Sequence, residues 1–297
     1  MQTKARPRNS TNVRLKQRAI QAAFVALGPV PAVASRLATK LWMTPPRAPL
    51  RPEQQGWLDQ AERVRLDAAG ARVAVYAWGS GPVVLLSHGW GGHAGQLTPF
   101  VADLVDAGFR AVAFDAPGHG ATQGGVPTVP HFAATAHAIS SWAGGIHAVV
   151  AHSMGAGAMA YAMSRGLGAE RAVFMAPAAS MSLAFERFTS MVKLQTRAAE
   201  RMRLEIARDF DLSWDELDFV RAAPSMRSRL LVFHDAADRE VPHAESRSIV
   251  EAWPAATLVT TEGLGHHRLL RDLKVVRRAV EFVAEGAGER RDQAQGS

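Results

Sequence analysis

The sequence predicts an α/β fold in which helices cover both faces of a mostly parallel, eight-stranded sheet. Short and almost wholly apolar runs alternate along the chain with longer segments of helical character. That alternation is typical of a parallel sheet buried on both sides. Several of the apolar runs also end in glycine, serine, histidine or aspartate. Because such sheets bind ligands beyond the carboxyl ends of their strands, these endings indicate where a site would lie.

The strands are predicted first as a pair and then singly. A period of two within residues 64–66 and 73–78 indicates two strands that turn at Ala69-Gly70. Short apolar runs predict the remaining six strands, at residues 82–87, 109–114, 146–151, 172–175, 230–233 and 257–260. Helices are predicted between them, near residues 95–107, 129–143, 154–166, 243–252 and 268–284.

One segment, residues 180–228, interrupts this alternation and is predicted to be a small helical cap inserted between two strands. Its apolar residues recur with helical spacing and mark two helices, through Phe188, Met191 and Val192 and then through Met202, Ile206 and Phe210. The motif Ser213-x-x-Glu216 has the form of a capping box and predicts the start of a third helix.

Composition limits the classes of function. The chain has 297 residues and no cysteine, which excludes disulfides, thiolate metal sites and a cysteine nucleophile. Its net charge of +7 is unevenly distributed, because residues 1–52 hold ten Lys and Arg and no acid. The remainder holds 24 basic and 27 acidic residues, so we expect no nucleic-acid-binding face on the folded domain. The predicted organisation is a basic arm with a proline-rich linker over residues 1–52, followed by one α/β domain over residues 53–297.

The arm allows three interpretations. Its apolar stretch, residues 19–34, is too short and too interrupted by Gly28, Pro29 and Pro31 to span a bilayer. Leu37, Leu41 and Trp42 continue an amphipathic pattern, which favours a helix that docks on the domain or lies on a lipid surface. The alternatives are a cleaved signal peptide ending near residue 34 and a disordered arm. The favoured location is cytoplasmic, with peripheral membrane contact through residues 1–45, and secretion or a periplasmic location is the alternative.

The segment around Ser153 has the form of a nucleophile elbow. The apolar run of residues 146–151 leads into a serine that is flanked by small residues and followed by a helix rich in Ala and Met. Small residues are needed two positions on either side of the serine, where the strand must turn sharply into the helix. Gly155 meets this need, whereas Ala151 stands where glycine is usual. The alternative is a strand-to-helix turn in which glycine only relieves crowding.

Four further motifs follow predicted strands. His88-Gly89-Trp90-Gly91-Gly92 is a flexible loop whose backbone can approach a ligand, so that the Trp90 and Met154 N–H groups could receive an oxyanion. Residues 115–120 form a tight glycine turn in which Asp115 is interpreted as a structural cap. The third motif is HDAADREVP, and the fourth is Glu262-Gly-Leu-Gly-His266-His267.

These motifs, in this order, resemble the serine-hydrolase, esterase-like branch of the α/β-hydrolase superfamily. The resemblance covers roughly residues 62–284 and includes the spacing of Asp238 from Val241-Pro242 and the pair Gly265-His266. It implies Ser153 as the nucleophile, Asp238 as the acid and His266 as the base, with Trp90 and Met154 as backbone oxyanion donors.

The chemistry needs the same residue types independently of any family. A serine hydroxyl becomes nucleophilic when a histidine takes its proton, and a carboxylate must orient that histidine and offset its charge. Asp235 competes with Asp238 for the acid role, and His267 competes with His266 for the base role; the spacing favours Asp238 and His266. His152 is interpreted as a packed, hydrogen-bonded residue.

The leading functional prediction is cleavage of carboxylic esters through an acyl-serine intermediate. An acyltransferase or a cofactor-free peracid-forming enzyme on the same triad is an alternative, and a catalytically silent binding member is another. The expected partner is a small-molecule ester, held in an apolar pocket for which Phe185, Phe188 and Met191 are candidates. No metal site, cofactor or nucleic-acid partner is expected, because neither a helical His-x-x-x-His pair with a carboxylate nor a nucleotide-binding glycine motif occurs.

Overall fold

The computed structural model of the chain describes residues 10–285. The first nine residues of the predicted arm and the last twelve of the predicted α/β domain lie outside this range. The described residues belong to two compact units. The first, which we call the sheet unit, runs from Thr44 to Ser180 and from Asp215 to residue 285. The second, the helical unit, comprises residues 10–43 and Met181–Trp214.

Eight strands form one sheet, and all of them belong to the sheet unit. They are β1 (Glu62–Ala68), β2 (Ala71–Trp78), β3 (Val83–Ser87), β4 (Arg110–Asp115), β5 (Ala148–His152), β6 (Arg171–Met175), β7 (Arg229–Asp235) and β8 (Ala256–Thr261).

The described residues also form twelve α-helices. They are α1 (Ser10–Ala26), α2 (Pro31–Trp42), α3 (Pro52–Asp59), α4 (Val101–Asp106), α5 (Val129–Ala143), α6 (Met154–Ser164), α7 (Met181–Val192), α8 (Thr196–Asp209), α9 (Phe219–Ala222), α10 (His243–Ala252), α11 (Gly265–Arg268) and α12 (Leu273–Ala284).

The sheet confirms the prediction of eight mostly parallel strands. Its strand order is β1-β2-β4-β3-β5-β6-β7-β8, in which β1–β2 and β2–β4 are antiparallel and the other five pairs are parallel. Every residue of β3, β5 and β6 is buried, which explains why these strands are apolar without alternation. Because β3, β5, β7 and β8 run in the same direction, their carboxyl ends meet at one edge of the sheet. The candidate site residues lie in the loops that follow these ends.

The predicted hairpin between β1 and β2 turns at Ala69-Gly70. Both residues have positive φ values, 51° and 71°, as a two-residue turn of type I′ requires. The antiparallel pairing then follows without a register shift, from Ala68 opposite Ala71 to Glu62 opposite Ala77.

The helical unit joins two segments that are far apart in sequence. Helices α1 and α2 pack with α7 and α8 around a shared apolar core. Small side chains on α2, Ala34 and Ala38, are buried in that core and allow a close approach to α8. Ser35 donates a hydrogen bond to Glu205 across the same interface. No helix among the described residues is long and apolar enough to cross a membrane.

Two local predictions were wrong. The motif Ser213-x-x-Glu216 does not begin a helix; α9 begins at Phe219, where Asp218 accepts a hydrogen bond from the Val220 N–H and acts as the N-cap. The helix predicted over residues 268–284 is divided, because Asp272 accepts from the Lys274 and Val275 N–H groups and caps a new helix, α12. In both cases an aspartate side chain accepts hydrogen bonds from backbone N–H groups of the following turn and so fixes where the helix begins.

Candidate active site

Ser153 occupies the sharp turn between β5 and α6. Its φ of 53° and ψ of −123° lie outside the regions that L-residues ordinarily adopt, so the backbone is strained at the candidate nucleophile. Gly155 is required by space: a Cβ there would lie 2.1 Å from His88 O. Ala151 is fully buried, and its methyl group is accommodated at the position where glycine is usual.

The three residues predicted as a triad lie in one hydrogen-bonded row. His266 Nδ1 is 2.7 Å from Asp238 Oδ2, and His266 Nε2 is 3.0 Å from Ser153 Oγ. Because a carboxylate only accepts hydrogen bonds, the proton belongs on Nδ1, and Nε2 is left to accept from the serine hydroxyl. His266 is 7% exposed and the Asp238 side chain is fully buried. This arrangement can move the hydroxyl proton onto the imidazole and stabilise the resulting charge.

Backbone and side-chain donors hold the Asp238 carboxylate in place. Oδ1 accepts from the N–H groups of Glu240 (2.8 Å) and Val241 (3.1 Å), and Oδ2 lies 3.2 Å from His234 Nε2. Burial alone raises the pKa of Asp238, but the hydrogen bonds from His234 and His266 outweigh burial and hold it well below its ordinary value. The group therefore remains a carboxylate near neutral pH.

Asp235, the competing acid, makes a different set of contacts. It accepts from the Leu264 N–H (2.7 Å), the Ala237 N–H (3.1 Å) and Thr261 Oγ1 (3.0 Å). These bonds connect the turn after β7 to the turn after β8. Burial raises the pKa of Asp235, but the backbone donors at Leu264, Ala237 and Gly265 outweigh it, so its pKa lies below the ordinary value.

The two other histidines near Ser153 face other partners. His267 is largely exposed, and its Nε2 is 3.0 Å from Glu240 Oε1, a hydrogen bond that raises the pKa of His267. His152 is buried and donates from Nε2 to His266 O (3.0 Å), which ties the candidate base to the strand that precedes the candidate nucleophile. Burial lowers the pKa of His152 well below its ordinary value, so this ring is neutral.

The candidate oxyanion donors belong to two segments that adjoin the candidate nucleophile, the loop after β3 and the start of α6. A Cβ on Gly89 would lie 3.0 Å from Ser153 Cβ, so the loop after β3 passes directly against Ser153. Met154 is the first residue of α6, where backbone N–H groups have no partner within the helix. Among residues 10–285, neither the Trp90 nor the Met154 N–H donates a hydrogen bond. Both are therefore available to a developing oxyanion.

Asp115 and His88 hold the neighbouring turns together. Asp115 is buried and accepts from the N–H groups of Ala94 (2.7 Å) and Ala121 (2.8 Å), as expected of a cap. His88 Nε2 accepts from the Ala116 N–H (3.1 Å), and Nδ1 donates to Gly89 O (2.7 Å). These bonds connect the loop after β3 to the loop after β4.

Sequence reasoning missed His234, whose side chain contacts the carboxylate of the candidate acid, Asp238. It is fully buried, its Nε2 approaches Asp238 Oδ2 and Val241 O, and its Nδ1 is 2.6 Å from Ser246 Oγ. The only sequence signal was a histidine at the end of a buried strand, four residues before Asp238.

The three candidate pocket residues belong to the helical unit. Phe185 is buried there between Trp42 and Trp214, at ring distances of 5.9 and 5.1 Å. Phe188 lies 5.0 Å from Trp42, and Met191 is 48% exposed. Within the sheet unit, a cavity of about 330 Å³ lies beside His266 and is lined in part by Arg239, Glu240, Gly263 and Arg268. No cluster of three or more potential ligand side chains within residues 10–285 is arranged to hold a metal ion.

A mostly parallel sheet with a serine, a histidine and an aspartate in one hydrogen-bonded row at its strand ends is typical of the α/β-hydrolase fold. Comparison with known proteins agrees. A family model described as serine aminopeptidase, S33, matches residues 80–223. The chain has the α/β-hydrolase fold, which the solved structures described next share.

Several solved structures share the fold. A putative lipase from Acinetobacter baumannii is 15% identical, with a TM-score of 0.61 over 78% of this chain and 94% of the other. Est1E from Butyrivibrio proteoclasticus, with ferulic acid bound, is 17% identical, with a TM-score of 0.59 over 76% and 98%. A membrane phospholipase A, described as a bacterial virulence factor, is 15% identical, with a TM-score of 0.59 over 93% and 98%. No curated protein matches the chain.

Proposed function

We propose that this protein is a serine hydrolase that cleaves carboxylic esters through an acyl-serine intermediate. The observation that carries the proposal is the row from Asp238 through His266 to Ser153, with contacts of 2.7 and 3.0 Å. The N–H groups of Trp90 and Met154, which donate no hydrogen bond within the described residues, would supply the second requirement, stabilisation of negative charge.

In the acylation half-reaction, Ser153 Oγ attacks the ester carbonyl carbon while its proton passes to His266 Nε2. The carbonyl π electrons move onto oxygen, where the Trp90 and Met154 N–H groups receive the charge. As the tetrahedral intermediate collapses, the bond to the alkoxy oxygen breaks and that oxygen takes the proton from Nε2. A water molecule then repeats the sequence on the acyl-serine, which releases the carboxylic acid and restores the hydroxyl.

The test compares wild type with Ser153→Ala. We expect a fluorophosphonate probe to label the wild type and not the variant, and p-nitrophenyl ester turnover to require Ser153. Labelling without turnover of any substrate would favour a catalytically silent binding member. Equal labelling of both proteins would place the reactive group elsewhere and contradict the proposal.

A substrate panel distinguishes the reactions that share this acyl-enzyme. Short and long p-nitrophenyl esters test hydrolysis, added alcohols test acyl transfer, and added hydrogen peroxide tests peracid formation. Aminoacyl p-nitroanilides test the peptidase activity that the matched family's description names. The proposal predicts that water is the preferred acceptor and that esters are cleaved faster than anilides.

We also propose that Phe185, Phe188 and Met191 contribute apolar surface to acyl-chain binding. Their apolar, adaptable side chains support this role. Substituting Met191, the exposed member, with Ala should change chain-length preference in the ester panel. An unchanged preference in all three alanine variants would contradict the pocket.

Finally, we propose peripheral contact between the arm and an anionic membrane on the cytoplasmic side. Helix α2 and its N-cap expose four apolar residues spaced by three or four, each between 39% and 47% exposed: Val30, Val33, Leu37 and Leu41. The exposed side chains of Arg36 and Lys40 border this stripe. Apolar insertion and attraction to anionic lipid are thus combined on one helix.

Vesicle co-sedimentation tests the membrane proposal. We expect the wild type to bind phosphatidylglycerol-containing vesicles, with weaker binding as salt rises, and Leu37→Ser with Leu41→Ser to reduce binding. Leu273→Ser, at a residue 69% exposed on α12, is the matched control and should bind normally. Equal binding by all three proteins would contradict the assignment of this stripe. A native protein that begins at Ser35 would instead indicate a cleaved signal.

A further inference from the structure

We propose that the proline-rich linker, residues 44–52, positions the oxyanion loop, and that the Ala48 N–H is its principal contact. The oxyanion loop is defined here as residues 88–93. The inference rests on the proposed function, since it assigns to the linker an effect on the transition state of that reaction.

The oxyanion loop contains a tight turn that sets the direction of the Trp90 N–H. The Gly92 N–H donates to Gly89 O at 3.0 Å, so Trp90 and Gly91 are the two central residues of the turn. Gly91 has a φ of +70°, which a type II turn requires at its second central position. Any rotation of this turn therefore redirects the candidate oxyanion donor.

The linker holds the outer side of that turn. The Ala48 N–H donates to Gly91 O at 3.1 Å, and Gly91 is itself buried. The contact is close: a Cβ on Gly91 would lie 2.6 Å from Pro46 O and 2.8 Å from Pro46 Cγ. Gly91 is thus required both by its φ value and by the approach of the linker.

The linker is fixed beyond this contact, so it can act as a support. The Arg51 N–H donates to Gln54 Oε1 at 3.0 Å at the start of α3. At the end of the same helix, Trp57 O accepts from Trp78 Nε1 at 3.0 Å, which attaches α3 to strand β2. Leu50 also packs against the residues after the loop, since a Cβ on Gly95 would lie 2.8 Å from Leu50 Cδ1.

The geometry distinguishes this role from simple spanning of a gap. A linker that only connects two segments has no need to satisfy a buried carbonyl of a turn beside the nucleophile. Pro46 and Pro49 restrict the backbone on both sides of Ala48. Less conformational entropy is therefore lost when the Ala48 N–H is held against Gly91 O. A preorganised donor is the property on which oxyanion stabilisation depends.

The experiment removes the Ala48 N–H and leaves the triad intact. In Ala48→Pro the donor is absent, and we expect kcat for a soluble p-nitrophenyl ester to fall about tenfold, a fraction of the loss that follows removal of an oxyanion donor itself. KM should change less than twofold. Binding of a trifluoromethyl ketone, which forms the oxyanion adduct, should weaken by the same factor as kcat.

Two variants serve as controls. Arg47→Pro introduces proline one residue earlier, at an amide that makes no hydrogen bond among residues 10–285, and should retain kcat. Ala48→Gly keeps the donor and should also retain kcat. If Ala48→Pro does not fold, replacing Ala48 with lactic acid removes only the N–H and decides the question.

Each outcome is decisive. An unchanged kcat and ketone affinity in a folded chain without the Ala48 N–H would overturn the linker proposal and leave the hydrolase intact. Equal losses in Ala48→Pro and Arg47→Pro would attribute the effect to proline and also overturn it. A wild-type protein without Ser153-dependent turnover would overturn the proposed function and the linker proposal together.

Discussion

The sheet unit and the helical unit hold their key residues in place by different means. At the sheet edge, directional hydrogen bonds orient each functional group; Asp238 alone has four donors within 3.2 Å. In the helical unit, Phe24, Phe185 and Met202 are held by apolar packing, and several large apolar side chains remain exposed. Hydrogen bonds fix angles, whereas apolar packing fixes volume. We therefore expect substitutions in the sheet edge to act on turnover and those in the helical core to act on stability.

The largest expected effect is a loss of turnover, with little loss of stability, when a residue of the candidate triad is replaced. Ser153→Ala or His266→Ala should reduce kcat for a p-nitrophenyl ester by about 10³- to 10⁶-fold, because the three residues act as one unit. The Ser153→Ala variant should melt within a few degrees of wild type, since only one hydroxyl is removed. Measurement of kcat beside thermal unfolding checks both parts. Comparable turnover in either variant would contradict the assignment.

The next expected effect distinguishes the two aspartates of the loop after β7. Asp238→Asn should reduce kcat by about 10³- to 10⁴-fold, because an amide in this position does not hold the imidazole tautomer that the base needs. Asp235→Asn replaces one acceptor among turn contacts and should reduce kcat less than about tenfold, with a larger loss of stability. Steady-state kinetics of both variants provide the comparison, and a greater loss for Asp235→Asn would reverse the assignment of the acid.

The same contrast explains what could be predicted from the sequence. The parallel strands of the sheet are largely apolar runs of five to seven residues with glycine or polar residues after them, so local pattern located them and the motifs at their ends. The candidate triad residues were predicted from spacing within single loops, as between Asp238 and Val241-Pro242. His234 could not be identified in this way, because its orientation depends on a contact between strand β7 and Ser246 of helix α10.

The helical unit was less predictable for a physical reason. Its core combines α1 and α2 with α7 and α8, and the two pairs are separated by more than a hundred residues. Periodicity shows that each helix has an apolar face, but it does not show which faces pair. The same limit applies to Phe185, whose apolar character fits either a pocket or the core in which it lies between Trp42 and Trp214.

A smaller effect, on stability, is expected in the helical unit. Phe185→Ala should lower the free energy of unfolding by about 3–5 kcal/mol, because it removes a buried ring from a well-packed core. Met191→Ala should change it by less than about 0.5 kcal/mol, since Met191 is half exposed. Chemical denaturation measures both values. Equal effects at the two positions would contradict the packing described for this unit.

The smallest effect is a pH dependence that should originate in the sheet unit, because all eleven histidines belong to it and none to the helical unit. Burial lowers the pKa of His119 to about 4, while an unfolded histidine has its ordinary pKa of about 6.5. Between these values the unfolded chain binds a proton that the folded chain does not. The contribution of His119 to the free energy of unfolding is therefore fully present above pH 6.5 and is lost as the pH falls. The loss for this residue is about 2 kcal/mol at pH 5.

His119→Asn removes the titrating group and keeps a donor for Pro117 O, which His119 Nδ1 contacts at 2.9 Å. We expect the difference in unfolding free energy between pH 7 and pH 5 to be smaller in this variant than in wild type. His267 provides the opposite sign, because its hydrogen bond with Glu240 raises its pKa. Its contribution is present below pH 6.5 and is lost as the pH rises, and solvent screening at this exposed position keeps it small. Denaturant titrations of wild type, His119→Asn and His267→Asn at both pH values measure these contributions, and an unchanged pH difference in His119→Asn would show that other groups cause the acid sensitivity.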